Sequence, residues 1–473
     1  MRRTKIIGTI GPASDNIATI KQLVLDGLDV ARLNMSHGSQ ADQKRRIDAI
    51  RQADKNLSVL VDLQGPKIRT GKLKTGHITL HTGSIITITT KQIEGDEDIV
   101  STTYSGLPND VKFGDRILLD DGLIELKVEK VVGSDVVCKV VNGGILKDFK
   151  GLNIPGVAIS AKGLTAKDKQ DLLFAIREKV DFIAMSFVRT AKDVDQVKNI
   201  IKKKGSNIPV IAKIEKPEAL DNLEEIIKTA DGIMIARGDL GVEMSPEKVP
   251  IIQKQIISKC NYFGKTVITA TQMLESMVVN PRPTRAEASD VANAVFDKTD
   301  ALMLSEEVAV GKYPVESVRT MSRIAQEVEK TIYTTDYNPL GKEIVATTAS
   351  GVAHAACHLS YDLSAKAIIT FTSSGSTALM VSKFRPSVPI YAVSIDDSVI
   401  RRLRLYWGVF AIKIGRFKNT DEMTFLAEKV LSTNKKISKG DIVILVAGVP
   451  VGRPGTTNLI KVHKIGDPVS LKK

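Results

Sequence analysis

Eight short apolar runs, each closing on polar or glycine residues, constrain this chain more than any other feature. The run 5–10 closes on Gly11-Pro12, the run 30–33 on Asn34, Ser36 and His37, and the run 59–61 on Asp62 and Gln64. After an interruption, 182–185 closes on Ser186, 210–212 on Lys213 and Glu215, and 233–236 on Arg237-Gly238-Asp239. Val267 and Ile268 lead to Thr269, Thr271 and Gln272, and 302–304 leads to Ser305-Glu306-Glu307. Between most of them lie segments of helical period, such as Ile17, Ile20, Leu23 and Val24, or Leu220, Leu223, Ile226 and Ile227. Strand then helix, eight times over, predicts a (β/α)8 barrel, in which chemistry gathers at the carboxyl ends of the strands. The polar groups stand at those ends here. A doubly wound open sheet is the alternative that the same pattern allows.

Between about 71 and 163 the pattern changes. Short alternating strands at 78–80, 85–89, 117–119, 124–128 and 136–141 are separated by turns such as Asp121-Gly122 and Asn142-Gly143-Gly144. They predict a small antiparallel β domain inserted after the third barrel strand. Beside the barrel mouth it would act as a lid. After about Gly341, strands at 367–371, 390–393 and 442–446 predict a separate α/β domain. The expected segments are 1–70 and 165–340 for the barrel, 71–164 for the lid and 341–473 for the C-terminal domain.

Composition narrows the function. The net charge is 67 − 54 = +13, which raises nucleic acid as a partner. That charge is spread along the chain, and aromatics are only 4%, too few for a base-stacking platform. A basic cleft suits anionic metabolites instead. Cys138, Cys260 and Cys357 have neither metal-ligand nor disulfide spacing and read as buried thiols. The six histidines form no ligand cluster, so no zinc site is expected. No stretch approaches the roughly 20 apolar residues of a membrane span. The opening run is too short for a signal peptide's apolar core, so the expected location is the cytoplasm.

Alternation along a strand puts Lys213 and Glu215 on one side. With Asp239 ending the next strand, two carboxylates and an ammonium converge at the mouth. Hard oxygen donors of this kind suit Mg²⁺, and the lysine can neutralise a phosphoryl group in flight. A structural ion network would use the same residues, and their types alone leave both readings open. Arg32, within Ala31-Arg32-Leu33-Asn34-Met35-Ser36-His37-Gly38, suits bidentate phosphate or carboxylate binding. Asn34 and Ser36 offer oxygen ligands or a capping turn. Gly65 and Pro66 read as a hinge at the lid junction, where Lys67 and Arg69 add positive charge. Thr372-Ser373-Ser374-Gly375-Ser376-Thr377 follows a strand and precedes a helix, as either a phosphate nest or a plain N-cap.

Together these segments resemble the pyruvate kinase family over nearly the whole chain. The most specific pieces are the Arg32 segment, Lys213-Ile214-Glu215, Ala236-Arg237-Gly238-Asp239-Leu240-Gly241-Val242-Glu243, and Ala270-Thr271-Gln272-Met273 followed by Asn280-Pro281-Arg282-Pro283-Thr284-Arg285-Ala286-Glu287. The resemblance implies transfer of the phosphoryl group of phosphoenolpyruvate to ADP, giving pyruvate and ATP, in a homotetramer. It implies Arg32, Lys213 and Thr271 as catalytic residues and Glu215 and Asp239 as ligands of Mg²⁺ or Mn²⁺. Gly238, Asp239 and Thr271 would join Arg32 and Lys213 in holding the substrate. Asn34, His37, Arg69 and Lys150 would face the nucleotide. The loop from Thr372 through Ser373, Ser374, Gly375 and Ser376 to Thr377 would hold a phosphorylated effector. Competing readings are another phosphoenolpyruvate or oxaloacetate enzyme on a barrel, or a metabolite sensor without turnover.

Two departures from the family pattern stand out. Many members carry Thr-Lys-Gly-Pro-Glu where this chain has Leu63-Gln64-Gly65-Pro66-Lys67, and the glutamate accompanies a need for potassium. The residues matching the cation's ligands, Asn34, Ser36, Asp62 and Leu63, remain. Lys67 would replace the ion, so activity is expected without potassium. The second departure is Ser305-Glu306-Glu307-Val308, which adds the carboxylate of Glu306 at the eighth strand end.

Overall fold

The computed structural model describes residues 1–157, 159–160, 163–335, 344–417, 419–449 and 456–468. The expected boundary at Gly341 lies outside them. All eight apolar runs form strands, and these close into a barrel. In chain order they are Lys5–Thr9, Val30–Asn34, Ser58–Leu63, Phe182–Met185, Val210–Ile214, Gly232–Ala236, Thr266–Ala270 and Ala301–Leu304. Each pairs in parallel with its neighbours, and the first pairs with the eighth. Closure excludes the open sheet. The strands read as unbroken apolar runs because both faces are buried. Ile7, Val30, Leu60, Phe182, Ile211, Met234 and Ile268 fill the barrel interior. The intervening residues, such as Ile6, Ala31, Val61, Ile183 and Ile233, pack under the outer helices.

Helix starts are set by local chemistry. Ser39 with Asp42, Thr165 with Asp168, and Thr284 with Glu287 each form a capping box, which satisfies N–H groups left free at a first turn.

The inserted segment forms a six-stranded sheet and a separate two-stranded one, His77–Leu80 with Gly144–Lys147, with its own apolar core around Ile86, Leu126 and Val140. Three of its strands escaped the sequence pattern: Ile99–Ser101, Gly144–Lys147 and Leu152–Asn153. Each is two to four residues, too short to display alternation. Gly144, expected in a turn, opens one of them. One edge pair, Ile85–Thr89 with Ile99–Ser101, is parallel in an otherwise antiparallel sheet.

The C-terminal region is a five-stranded sheet with four parallel strands and the antiparallel edge strand Thr457–Lys464. Strands Val409–Lys413 and Thr457–Lys464 were not expected; the first holds an apolar run, Val409-Phe410-Ala411-Ile412, that was passed over, and the second mixes polar and apolar residues on partly exposed faces. This region docks on the amino ends of the barrel strands, opposite the mouth. Asp181 and Asp300, each just before a strand, accept bonds from Arg401 at 2.7 Å and from Arg385 at 2.8 Å. Lys5 donates to the Val409 carbonyl at 2.7 Å. Among the described residues no helix is long and apolar enough to cross a membrane, and all three cysteines are buried.

Candidate active site

The carboxyl ends of the second to fifth strands meet around one buried carboxylate. Asp62, 1% exposed, accepts from Arg32 Nε at 2.8 Å and lies 3.4 Å from Lys213 Nζ. Burial pushes its carboxyl up, but Lys213 and Arg32 outweigh burial and hold it below the ordinary value. Arg32 spends a further nitrogen on Thr9 Oγ1 at 2.8 Å. Both cations are therefore oriented by groups inside the barrel before any ligand arrives, as electrostatic catalysis requires.

Lys213 also reaches Glu215 Oε1 at 2.8 Å and Ser186 Oγ at 2.7 Å. Burial pulls its ammonium down, yet Asp62 and Glu215 raise it overall, so it stays charged. Glu215 is buried and accepts from the Phe187 N–H at 2.7 Å. Phe187 adopts φ +56°, a left-handed conformation that non-glycine residues adopt at local cost. Burial raises the Glu215 carboxyl, Lys213 lowers it and Asp239 raises it again, with a net upward shift. Asp239 lies in the first turn of helix Arg237–Glu243, which begins where the sixth strand ends. Two carboxylates that repel one another across a cleft have the donor chemistry of a divalent-cation site.

Gly238 N–H donates to Thr271 Oγ1 at 2.7 Å. Thr271 and Gln272 sit at φ +69° and +54°, so the chain turns sharply off the seventh strand at this point. Arg237 fixes the turn through the Thr271 carbonyl at 2.8 Å and Asp290 at 2.7 Å.

The residues expected on the nucleotide side surround the lid junction. Lys150 pairs with Asp120 at 2.7 Å, and Arg69 donates to the Phe149 carbonyl at 2.8 Å. Partial desolvation, then the positive charges of Arg69, Lys67 and Arg32, lower the His37 imidazole from its ordinary value. Asn34 Oδ1 is engaged by the Ser36 N–H at 3.0 Å, and the Leu63 carbonyl by Ser186 Oγ at 2.8 Å. Glu306 is exposed near His37. Its neighbour Glu307 is buried and accepts from the Ser305 and Leu274 N–H groups at 2.6 and 3.2 Å. The Thr372–Thr377 loop lies in the C-terminal region, apart from this site. There Gly375 at φ +95° caps helix Ser376–Lys383, and its N–H donates to Thr372 Oγ1 at 2.8 Å.

Several participants were missed from sequence. Thr9 ends its strand and could have been marked by position; Ser186 was marked as a strand end but not as a partner of Lys213. The Phe187 N–H carries no side-chain signal. Glu243 accepts from Lys216 at 2.5 Å and from Asn153 of the lid at 2.7 Å; only folding joins three such distant segments.

Fold and site together define a barrel enzyme of phosphoryl transfer. The family profile described as "Pyruvate kinase, barrel domain" matches residues 1–318, and that described as "Pyruvate kinase, alpha/beta domain" matches residues 350–463. The chain is 48% identical to the pyruvate kinase of Sporosarcina psychrophila over 99% of its own length and 81% of that protein's. The figures are 48%, 98% and 81% for the pyruvate kinase of Geobacillus stearothermophilus. For that of Staphylococcus aureus (strain MRSA252) they are 46%, 99% and 82%. The chain belongs to the pyruvate kinase family, and it is an enzyme of that activity.

Proposed function

We propose that the chain carries the phosphoryl group of phosphoenolpyruvate to ADP with Mg²⁺ or Mn²⁺ and without potassium. The buried arrangement of Arg32, Asp62 and Lys213 beside Glu215 and Asp239 carries this reading. Arg32 binds the substrate phosphate, and Lys213 neutralises charge on the transferring group. The Gly238 and Thr271 pair frames the substrate carboxylate, with the Thr271 hydroxyl at the proton-delivery position. Glu215 and Asp239 hold the divalent ion, which when bound neutralises substrate oxygens. No side chain forms a covalent intermediate; positioning and charge do the catalysis.

His37, Arg69 and Lys150, with Asn34 beside them, face the nucleotide. Lys67 supplies the monovalent charge: it forms no ion pair among the described residues, and its field reaches His37. Asp62, a member of the cation-ligand set with Asn34, Ser36 and Leu63, is already neutralised by Arg32 and Lys213. The loop Thr372 to Thr377 takes a phosphorylated activator, and the working form is a cytoplasmic homotetramer built from the segments expected above.

A coupled assay with phosphoenolpyruvate, ADP and Mg²⁺ in potassium-free buffer tests the core of this. Turnover is expected there and is expected to vanish in Lys213→Met. A many-fold rise on adding potassium would sink the role given to Lys67.

A further inference from the structure

We propose that Gln43 is a positioning residue for the nucleotide side of the site: it sets the loop that carries Asn34, Ser36 and His37. Helix Gln40–Ala53 follows that loop, and its buried residues are Gln43, Ile47 and Ile50. Gln43 therefore takes a core position in an apolar stripe, and it is fully buried. A buried amide is costly unless its hydrogen bonds are made. Those of Gln43 run back to the loop. Its Nε2 donates to the His37 carbonyl at 2.7 Å and to the Asn34 carbonyl at 3.1 Å. Only the NH2 end of an amide can meet two carbonyl oxygens, so the orientation of this one is fixed. Its Oε1 faces Arg46 Nη1 at 3.4 Å.

The loop is short and reverses sharply between strand and helix. Gly38 at φ +77° completes the reversal, and Ser39 then caps the helix. A second side chain, Lys167, donates to the Met35 carbonyl at 2.6 Å. The carbonyls of Asn34, Met35 and His37 are thus all held from outside the loop. One amide bridges the first and the last of them, so it fixes the spacing between Asn34 and His37. The phosphate side has other supports. Arg32 is held by Asp62 and Thr9, each at 2.8 Å, and neither bond involves Gln43. Loss of the Gln43 bonds would free the loop beyond the strand and leave Arg32 in place. The consequence is selective: ADP should bind more weakly, and phosphoenolpyruvate as before.

Steady-state kinetics with each substrate varied in turn tests this in two variants of the full chain with Mg²⁺. Gln43→Met keeps the length and loses both donors; Gln43→Glu keeps the shape and, when ionised, only accepts. The KM for ADP is expected to rise about tenfold in both, as loss of two hydrogen bonds implies. The KM for phosphoenolpyruvate and kcat at saturating ADP are expected to hold, the pattern of lost binding and not of lost transition-state stabilisation. The proposal is overturned by an unchanged KM for ADP in a folded variant, by equal rises in both KM values, or by a fall in kcat alone. Failure of both variants to fold would make Gln43 a structural residue and overturn it as well. The role of Gln43 rests on the nucleotide side proposed above, and His37→Ala separates the two. An unchanged KM for ADP in His37→Ala sinks that nucleotide side. A rise there without one in the Gln43 variants sinks the role of Gln43 alone.

Discussion

At the scale of single residues, the site is a balance of buried charges. Asp62 pairs with both Arg32 and Lys213. Removing one member of a buried ion cluster leaves uncompensated charge, at a cost of about 3–5 kcal/mol. Asp62→Asn is therefore expected to lose about 3 kcal/mol or more in denaturant unfolding at neutral pH, besides its activity. Asp62 titrates below its ordinary value, so its contribution is present above that ordinary value and is lost as pH falls through the folded one. Glu215 has the opposite sign. Its folded value is raised, so in metal-free protein it costs stability as pH climbs from the ordinary carboxylate range through the raised value. Thermal unfolding against pH should reveal this fall, and both Glu215→Gln and saturating Mg²⁺ should remove it. An unchanged slope in Glu215→Gln would disprove the assignment.

Elements place these residues by a few turns of the chain. The Arg237–Glu243 helix begins where the sixth strand stops, so Gly238 and Asp239 come to the mouth together. Its last residue, Glu243, faces the lid. The Glu243 carboxylate joins lid strand Leu152–Asn153 to Lys216, next to Glu215. One side chain thus links the inserted domain to the segments carrying Glu215 and Asp239. Glu243→Gln leaves Lys216 buried without its ion pair and loosens the lid. The expected result is a several-fold rise in KM for ADP and in the Mg²⁺ needed for half-maximal rate, with a smaller change in kcat. Steady-state kinetics at varied ADP and Mg²⁺ would check it; a fall in kcat alone would mean that the contact serves another step.

At the scale of the whole molecule, the candidate site and the docked α/β region occupy opposite ends of one barrel. The contact between them is polar: Asp300 with Lys383 and Arg385 is buried, Asp181 pairs with Arg401, and the half-buried Asp54 pairs with Arg404 at 2.6 Å. Buried pairs of this sort specify register more than they add stability. Asp300→Asn should leave Lys383 unpaired and separate the unfolding of the two regions. Calorimetry is expected to resolve two transitions in the variant where the parent gives one closer-coupled envelope. A single transition of unchanged shape would argue against Asp300 as the coupling residue.

Much of this was legible in the chain alone. Strands buried on both faces must be apolar throughout, so all eight could be counted, and Lys213, Glu215, Asp239 and Thr271 could be placed at or beyond their ends, with Arg32 inside the second run; their roles came only from the family resemblance. Period and strand-end position are local properties, and local properties survive in sequence. The short strands of the inserted domain and the edge strand Thr457–Lys464 were not legible, because short or half-exposed segments carry no clear period, whereas the apolar run at Val409–Lys413 was there to be read. Nor could the chain say that Lys213 would share Asp62 with Arg32, that a Phe187 N–H would hold Glu215, or that Glu243 would meet Asn153. Those bonds join residues 28 to 151 positions apart, from the 28 between Phe187 and Glu215 to the 151 between Asp62 and Lys213. The sequence by itself determined which groups stand at the ends of the strands. Closure of the barrel and docking of the lid decided which of them meet, because distance through space is set only when the sheet closes.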